Sequence, residues 1–218
     1  MIENTLFLEH NMKIFITGTD TNIGKTLISS WLTMHSGYAY FKPIQTGTKE
    51  SSDSKEVQNL TAATIIPEIY TYPEPVSPHL AAQLAGDYID IAQIALPNTD
   101  KLIVEGAGGL LVPINAQVLM IDLIKKLELG VILVASTKLG TINHTLLSIE
   151  ALRARNIPLL GVIMNGPANT NSAAIAKFGN TCILADFPWL PTVTTESLRS
   201  IPLTDKLLNI LEIEHVTI

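Results

Sequence analysis

A single α/β domain built around a doubly wound, mostly parallel β-sheet is the fold that this sequence predicts. Short apolar runs rich in Val, Ile and Leu recur along the 218 residues without alternating with polar residues. Such runs are typical of parallel strands that helices cover on both faces. The segments between them carry apolar residues at helical spacing, and strand–helix alternation indicates a doubly wound sheet. The predicted strands are residues 13–17, 102–104, 131–135, 159–164 and, with a weaker pattern, 182–184.

The predicted helices lie between these strands, at residues 26–35, 120–129 and 142–155, and near the end of the chain at 204–211. Pro73, Pro75 and Pro78 predict that residues 67–78 form a loop with little regular structure. Residues 1–11 lack the basic start and long apolar core of a signal peptide, so we expect an N-terminal extension followed by one domain at 12–218. In such a sheet ligands bind beyond the carboxyl ends of the strands.

The composition restricts the partners and the compartment. The formal net charge is −6 and the pI is about 5.3, which disfavours binding to the phosphate backbone of nucleic acids. The mean hydropathy is +0.32, but charged residues interrupt the long apolar stretches, so we predict no membrane span. Cys182 is the one cysteine, which precludes an internal disulfide and suits the cytoplasm. Because it starts an apolar run, we expect Cys182 to be buried in the core.

The segment after the first strand predicts a phosphate-binding loop. Residues 18–26 read GTDTNIGKT, a Gly-containing turn that leads into a helix. Backbone N–H groups in such a turn converge on phosphate oxygens, while Lys25 reaches the β- and γ-phosphates and the Thr26 hydroxyl binds Mg²⁺. The spacing departs from the common GxxxxGK[ST] form, because Gly18 comes one residue early and Thr19 takes the position of the first glycine. A chance Gly-Lys-Thr is the alternative, but the place between strand and helix favours a nucleotide site.

Three further residues carry charge at the expected ligand-binding edge. An apolar strand ends in the segment from Tyr40 to Gly47, and Lys42, which Pro43 fixes in place, lies at the strand's end. Glu105 ends a buried strand and precedes glycines, as a Walker-B-like Mg²⁺ ligand does, and Asp53 is a second carboxylate. The alternatives are a solvated surface lysine and a capping or salt-bridged glutamate.

Taken together, these residues resemble the dethiobiotin synthetases, a P-loop family of biotin biosynthesis. The resemblance runs from Lys13 to about Leu190, and its most selective strings are EPVSPH at 74–79 and KLGTINH at 138–144. It implies an ATP- and Mg²⁺-dependent ligase that converts 7,8-diaminononanoate and CO₂ into dethiobiotin. The implied route passes through a carbamate, which ATP phosphorylates to a carbamic-phosphoric anhydride before the second amine closes the ring.

The resemblance also implies roles for individual residues. The implied catalytic residues are Lys25, Lys42 and Thr21. The implied ATP-binding residues are Thr19, Asp20, Asn22, Ile23, Gly24, Lys25 and Thr26, with Asn165 reading the adenine and Pro188, Trp189 and Leu190 completing the base pocket. The implied Mg²⁺ ligands are Thr26, Asp53 and Glu105. Thr21, Lys42 and Thr46 are placed at the diamine and carbamate end of the substrate.

The far carboxylate of the substrate is a separate recognition problem. The string at 138–144 predicts a helix start, whose free N–H groups suit a carboxylate. In the family this helix start comes from the partner subunit, so the resemblance implies a homodimer in which Gly140, Thr141 and Asn143 complete the other subunit's site. A simple helix cap formed by Thr141 and Asn143 is compatible with that role.

Two departures and two alternatives accompany the resemblance. Asn22 replaces a glutamate that some members carry in the loop, and the stretch from Lys25 to Lys42 is short for the family. A cobyrinate-type ATP-dependent amide synthetase is one alternative, although such chains usually add a glutaminase domain. A partitioning or division-type switch ATPase is the other, but those proteins typically carry a second lysine early in the loop, where this sequence has Thr19 and Asp20.

Overall fold

A computed structural model of the chain describes residues 12–49, 51–168 and 170–213, so the extension predicted at 1–11 lies outside the described residues. The strands are β1 (Met12–Gly18), β2 (Ala39–Phe41), β3 (Ile44–Thr46), β4 (Ile65–Ile66), β5 (Tyr70–Tyr72), β6 (Lys101–Gly109), β7 (Gly130–Ser136), β8 (Leu159–Asn165) and β9 (Ile183–Phe187). The helices are α1 (Lys25–Ser36), α2 (Asp53–Leu60), α3 (Pro78–Leu84), α4 (Met120–Leu127), α5 (Thr141–Arg153), α6 (Asn171–Phe178), α7 (Thr195–Arg199) and α8 (Asp205–Ile210). The predicted long strands and helices are confirmed, with ends that move by a few residues.

The main sheet has seven strands in the order β4-β2-β6-β1-β7-β8-β9, and the neighbouring strands pair in parallel. The chain runs from β1 through α1 to β2 on one side of β1, whereas β7, β8 and β9 lie on the other side. The carboxyl end of β1 is therefore a point where the direction of winding changes. A crevice for ligands forms at such a point.

Alternate residues of the strands pack into two apolar layers, one on each face of the sheet. Phe15 and Val104 pack on one face together with residues of α4, and Ile16 and Tyr40 pack on the other against α1. Trp31 of α1 is 1% exposed in that second layer. Burial on both faces explains why the strand sequences are continuously apolar.

Three sequence-based expectations are wrong. Glu105 does not end its strand, because β6 continues to Gly109. Residues 67–78 are not simply a loop, because β5 pairs in parallel with β3 in a separate two-stranded sheet and α3 begins at Pro78. A strand of three residues between prolines shows too little periodicity to be recognised locally. Cys182 is exposed and lies directly before β9, which begins one residue later at Ile183.

Within the described part of the chain, no helix combines the length and the apolar character that crossing a bilayer requires.

Candidate active site

The loop between β1 and α1 has the backbone of a phosphate-binding turn. Asn22 and Gly24 adopt left-handed conformations with φ of 52° and 93°. The Thr19 N–H donates to the Val134 carbonyl at 3.0 Å, which ties the start of the loop to β7. A methyl group on Gly18 would lie 2.4 Å from the Ile23 side chain, so the early glycine makes room for the loop to fold back on itself. The unusual spacing thus has a packing reason.

Lys25 extends across this loop. Its Nζ donates to the Asp20 carbonyl at 2.9 Å, and its side chain is buried. Burial lowers the pKa of Lys25 to about 8, and the charge of Glu105 only partly opposes this effect. A phosphate bound in the loop would favour the charged form of this amine.

Glu105 lies at the centre of the charged cluster. Its Oε1 accepts hydrogen bonds from Thr26 Oγ1 at 2.9 Å and from Lys42 Nζ at 3.0 Å. Lys42 also forms an ion pair with Asp53, the first residue of α2. The register of β2 against β6 pairs Phe41 with Val104, so Lys42, directly after β2, lies beside Glu105 within β6.

Lys42 is charged although it is almost fully buried, at 4% exposure. Burial by itself would lower the pKa of Lys42, but the negative charges of Glu105 and Asp53 outweigh burial and raise it. The cluster thus holds a permanent cation in the floor of the site. Such a cation can neutralise charge that develops on a transferring phosphoryl group.

The residues around Glu105 fit a magnesium ion. Thr26, Asp53 and Glu105 offer a hydroxyl and two carboxylates, and all of these are hard oxygen ligands. They already converge on a cation, because Lys42 contacts both carboxylates and shares Glu105 Oε1 with Thr26. The described residues contain no group of three or more His, Cys, Asp or Glu side chains that would form a complete protein cage. Magnesium bound together with nucleotide phosphates needs only one or two carboxylates.

A cleft of about 750 Å³ opens over this cluster. The structure brings many of the predicted site residues together in its lining, namely Asp20, Thr21, Asn22, Gly24, Lys25, Thr26, Lys42, Thr46, Asp53 and Glu105. Residues 75–78 and 107–109 contribute to the walls. The volume suits a small-molecule site. Thr19 and Ile23 support the loop from behind and do not line the cleft.

The residues predicted for the adenine lie beside the loop rather than in the cleft. Asn165 ends β8, and its Nδ2 donates to the Ile23 carbonyl at 2.8 Å. Asn165 pairs in register with Phe187 of β9, which places Pro188, Trp189 and Leu190 next to it at the same edge of the sheet. Trp189 is 62% exposed. These residues form one group, but Asn165 also contacts the phosphate loop directly, a contact that the sequence did not predict.

The start of α5 lies apart from the cleft of the same chain. Gly140 is the left-handed residue before the helix, and Thr141 is its first residue. The Thr141 side chain is buried, and its hydroxyl lies 3.5 Å from that of Thr145. The backbone N–H of Thr141 donates to the Lys138 carbonyl. Asn143 is exposed. Of the three residues, only Asn143 therefore presents a side chain outward.

Three polar residues of the site were not predicted. The buried Tyr40 hydroxyl donates to Glu105 Oε2 at 3.0 Å, and burial, followed by the charge of Glu105, raises the pKa of Tyr40 well above its ordinary value. Gln45 accepts the Asp53 N–H at 3.1 Å and donates to the Thr46 carbonyl at 2.8 Å. Glu56 lines the cleft, and burial and Asp53 raise its pKa. Tyr40 lies two residues before Lys42, and residues with this spacing in a strand point to the same face of the sheet, so the sequence could have placed Tyr40 on the same face as Lys42.

Comparison with known proteins agrees with this geometry. A family model described as an AAA domain matches residues 12–197. The ATP-dependent dethiobiotin synthetase BioD of Lawsonia intracellularis (strain PHE/MN1-00) is 55% identical over 197 residues, covering 90% of this chain and 97% of that protein. The ATP-dependent dethiobiotin synthetase BioD of Paramagnetospirillum magneticum (strain ATCC 700264 / AMB-1) is 48% identical over 192 residues, which cover 87% of this chain and 94% of that protein. A ParA family ATPase from Chlorobium tepidum TLS has a TM-score of 0.51 and 11% identity with coverage of 94% of each chain, a likeness of fold alone.

Proposed function

The chain belongs to the dethiobiotin synthetase family, and on this premise we propose that its cleft closes the ureido ring of dethiobiotin from 7,8-diaminononanoate, CO₂ and ATP. The chain is an ATP-dependent ligase of biotin biosynthesis. Family membership favours this reaction over that of a switch ATPase or of a cobyrinate-type amide synthetase.

The observation that carries the proposal is the convergence of Thr26, Lys42 and Asp53 on Glu105 next to the phosphate loop. Phosphoryl transfer depends mainly on positioning and on neutralising charge, since the protein itself forms no covalent bond. Lys25 and Lys42 supply positive charge on two sides of the same cleft. Thr26, Asp53 and Glu105 would hold Mg²⁺, which supplies further positive charge to the phosphate oxygens.

The chemistry has three steps, each with a balanced leaving group. One substrate amine adds to CO₂ and loses a proton, which gives a carbamate. A carbamate oxygen attacks the γ-phosphorus of ATP, and ADP leaves. The second amine then attacks the carbonyl carbon of this mixed anhydride and loses a proton, and inorganic phosphate leaves as the ring closes. Lys42 would stabilise the carbamate, and Thr21 and Thr46 line the cleft where the amines would bind.

We assign the adenine to the group formed by Asn165 and residues 188–190. The carboxyl ends of β8 and β9 bring these residues together beside the loop, at the side away from Lys42. The exposed Trp189 ring offers a flat apolar surface to a base.

The proposal includes a homodimer in which the start of α5 binds the substrate carboxylate of the partner's site. Gly140, Thr141 and Asn143 do not line the cleft of their own chain. Leu139 and Leu147 are exposed apolar side chains before and on the same helix, and a burial partner for them is expected at an interface. The proposal also places the enzyme in the cytoplasm, which the single cysteine of the sequence supports.

The first experiment measures phosphate release from ATP, Mg²⁺ and bicarbonate with and without 7,8-diaminononanoate. We expect release that depends strictly on the diamine, with dethiobiotin detected by mass spectrometry. ATP hydrolysis that is independent of the diamine would instead indicate a switch ATPase, and it would overturn the proposed reaction while leaving the nucleotide site in place.

A further inference from the structure

The two oxygens of the Glu105 carboxylate have different partners. Oε1 accepts from Thr26 and Lys42, which both line the cleft, at 2.9 and 3.0 Å. Oε2 accepts from the Tyr40 hydroxyl at 3.0 Å. Tyr40 is 0% exposed and does not line the cleft. One oxygen of the carboxylate is therefore directed to the ligand side, and the other is held in the protein interior.

The sheet register explains how Tyr40 reaches Glu105. Tyr40 on β2 pairs with Ile103 on β6, and Glu105 lies two residues further along the same face. Side chains on such a diagonal are within reach of an aromatic residue. Lys42 follows Tyr40 by two residues, so it also points to this face. Neighbouring strands thus fix the hydroxyl and the carboxylate on rigid elements.

We propose that Tyr40 is a positioning residue, which fixes the rotation of the Glu105 carboxylate so that Oε1 faces the metal and nucleotide. This inference rests on the proposed metal role of Glu105. The terminal torsion of a glutamate is broad, so packing alone leaves the carboxylate plane loosely defined. The tyrosine hydroxyl removes this freedom, and without it Oε2 would be buried with one hydrogen bond fewer.

The test is the variant Tyr40→Phe, which keeps the ring and removes the hydroxyl. Binding of Mn²⁺ to the ADP complex is measured by electron paramagnetic resonance, in the absence of turnover. We expect the Mn²⁺ affinity to fall roughly tenfold, the lower end of the range for partners of metal ligands. The Mg²⁺ concentration for half-maximal activity should rise in parallel, whereas the KM for 7,8-diaminononanoate should stay unchanged.

Tyr38→Phe is a matched control. Tyr38 is also 0% exposed, and its hydroxyl donates to the Leu211 carbonyl at 2.7 Å, with no contact to Glu105. Both variants lose one buried hydrogen bond of a tyrosine and should lose similar thermal stability. Only Tyr40→Phe should lose Mn²⁺ affinity. An equal loss in both variants would show a general destabilisation and would overturn the positioning role.

Glu105→Gln separates failure of this inference from failure of the proposed function. If Glu105→Gln binds Mn²⁺ in the ADP complex as the parent does, the metal role of Glu105 is wrong and the inference falls with it. If Glu105→Gln weakens binding but Tyr40→Phe does not, the metal role stands and the positioning role of Tyr40 alone is overturned.

Discussion

The Asn165 side chain occupies the space that a side chain on Gly24 would need. Asn165 Nδ2 lies 2.1 Å from the position of a methyl group added to Gly24, and it donates to the neighbouring Ile23 carbonyl at 2.8 Å. The end of β8 is therefore packed directly onto the phosphate loop. The proposed base site at Asn165 and the phosphate loop therefore share one element of structure.

Gly24→Ala should consequently damage both the fold and the nucleotide site. The alanine would have to adopt a φ of 93° and push Asn165 away. We expect a loss of about 1–3 kcal/mol in the free energy of unfolding, together with weaker binding of a fluorescent ADP analogue. Gly37→Ala is the control, because Gly37 also has a positive φ but has open space around it. The free energy of unfolding of Gly37→Ala should fall by about 1 kcal/mol, and its ADP affinity should be unchanged. Equal ADP binding by both variants would contradict the steric argument.

Lys42→Ala removes the cation that separates two carboxylates. We expect kcat to fall about 10²–10³-fold, the scale for losing one stabilising donor. Because Glu105 and Asp53 would lose their partner, the free energy of unfolding should also fall by about 3–5 kcal/mol. Steady-state kinetics and thermal denaturation check the two effects separately.

Lys49→Ala serves as the control for Lys42→Ala. Lys49 pairs with Glu74 at the surface, where the two side chains are 60% and 39% exposed. Its removal should change stability by no more than about 1 kcal/mol and should leave kcat unchanged. A Lys42→Ala enzyme that kept its kcat would refute the role of Lys42 in transfer.

The pH dependence of ATP binding should report on Lys25, whose pKa is lowered to about 8 by burial. Between pH 8 and the ordinary lysine pKa, the free site holds a neutral amine, while bound phosphates favour the charged form. Binding then takes up a proton, so affinity should decrease as pH rises above 8, by at most about tenfold per pH unit. Calorimetry at pH 9 in two buffers of different ionisation enthalpy measures this uptake. Lys25→Arg stays charged and should show no such uptake, and equal uptake by both proteins would refute the assignment.

The proposed shared active site predicts complementation between two impaired variants. Asn143→Asp places a negative charge at the third residue of α5, which is compatible with a helix start. It should raise the KM for the diamine on the order of tenfold or more by repelling the substrate carboxylate. When Asn143→Asp and Lys42→Ala subunits are co-expressed, mixed dimers should contain one intact site and recover about a quarter of the parent activity at substrate levels below the mutant KM. Sedimentation as a monomer at micromolar concentration, or no recovery, would argue against the shared site.

The sequence was sufficient for features that depend on local pattern. Continuous apolar runs identified β1, β6, β7 and β8, because strands buried on both faces must be apolar at every position. The phosphate loop was recognisable because its glycine, lysine and threonine must follow one another directly. Lys42 was correctly expected directly after its strand at the ligand-binding edge, whereas Glu105 lies within β6 and does not follow it.

The tertiary structure decided the features that depend on which segments become neighbours. No local pattern states that β2 lies beside β6, yet this pairing joins Tyr40 to Glu105. The contact of Asn165 with Ile23 likewise spans distant parts of the chain, and β3 and β5 are strands only because they pair with each other. Cys182 is exposed, and its strand begins one residue later than its apolar neighbours suggested. Local periodicity thus determined the layers of this protein, whereas strand order and register, which arise from long-range packing, determined how its site residues meet.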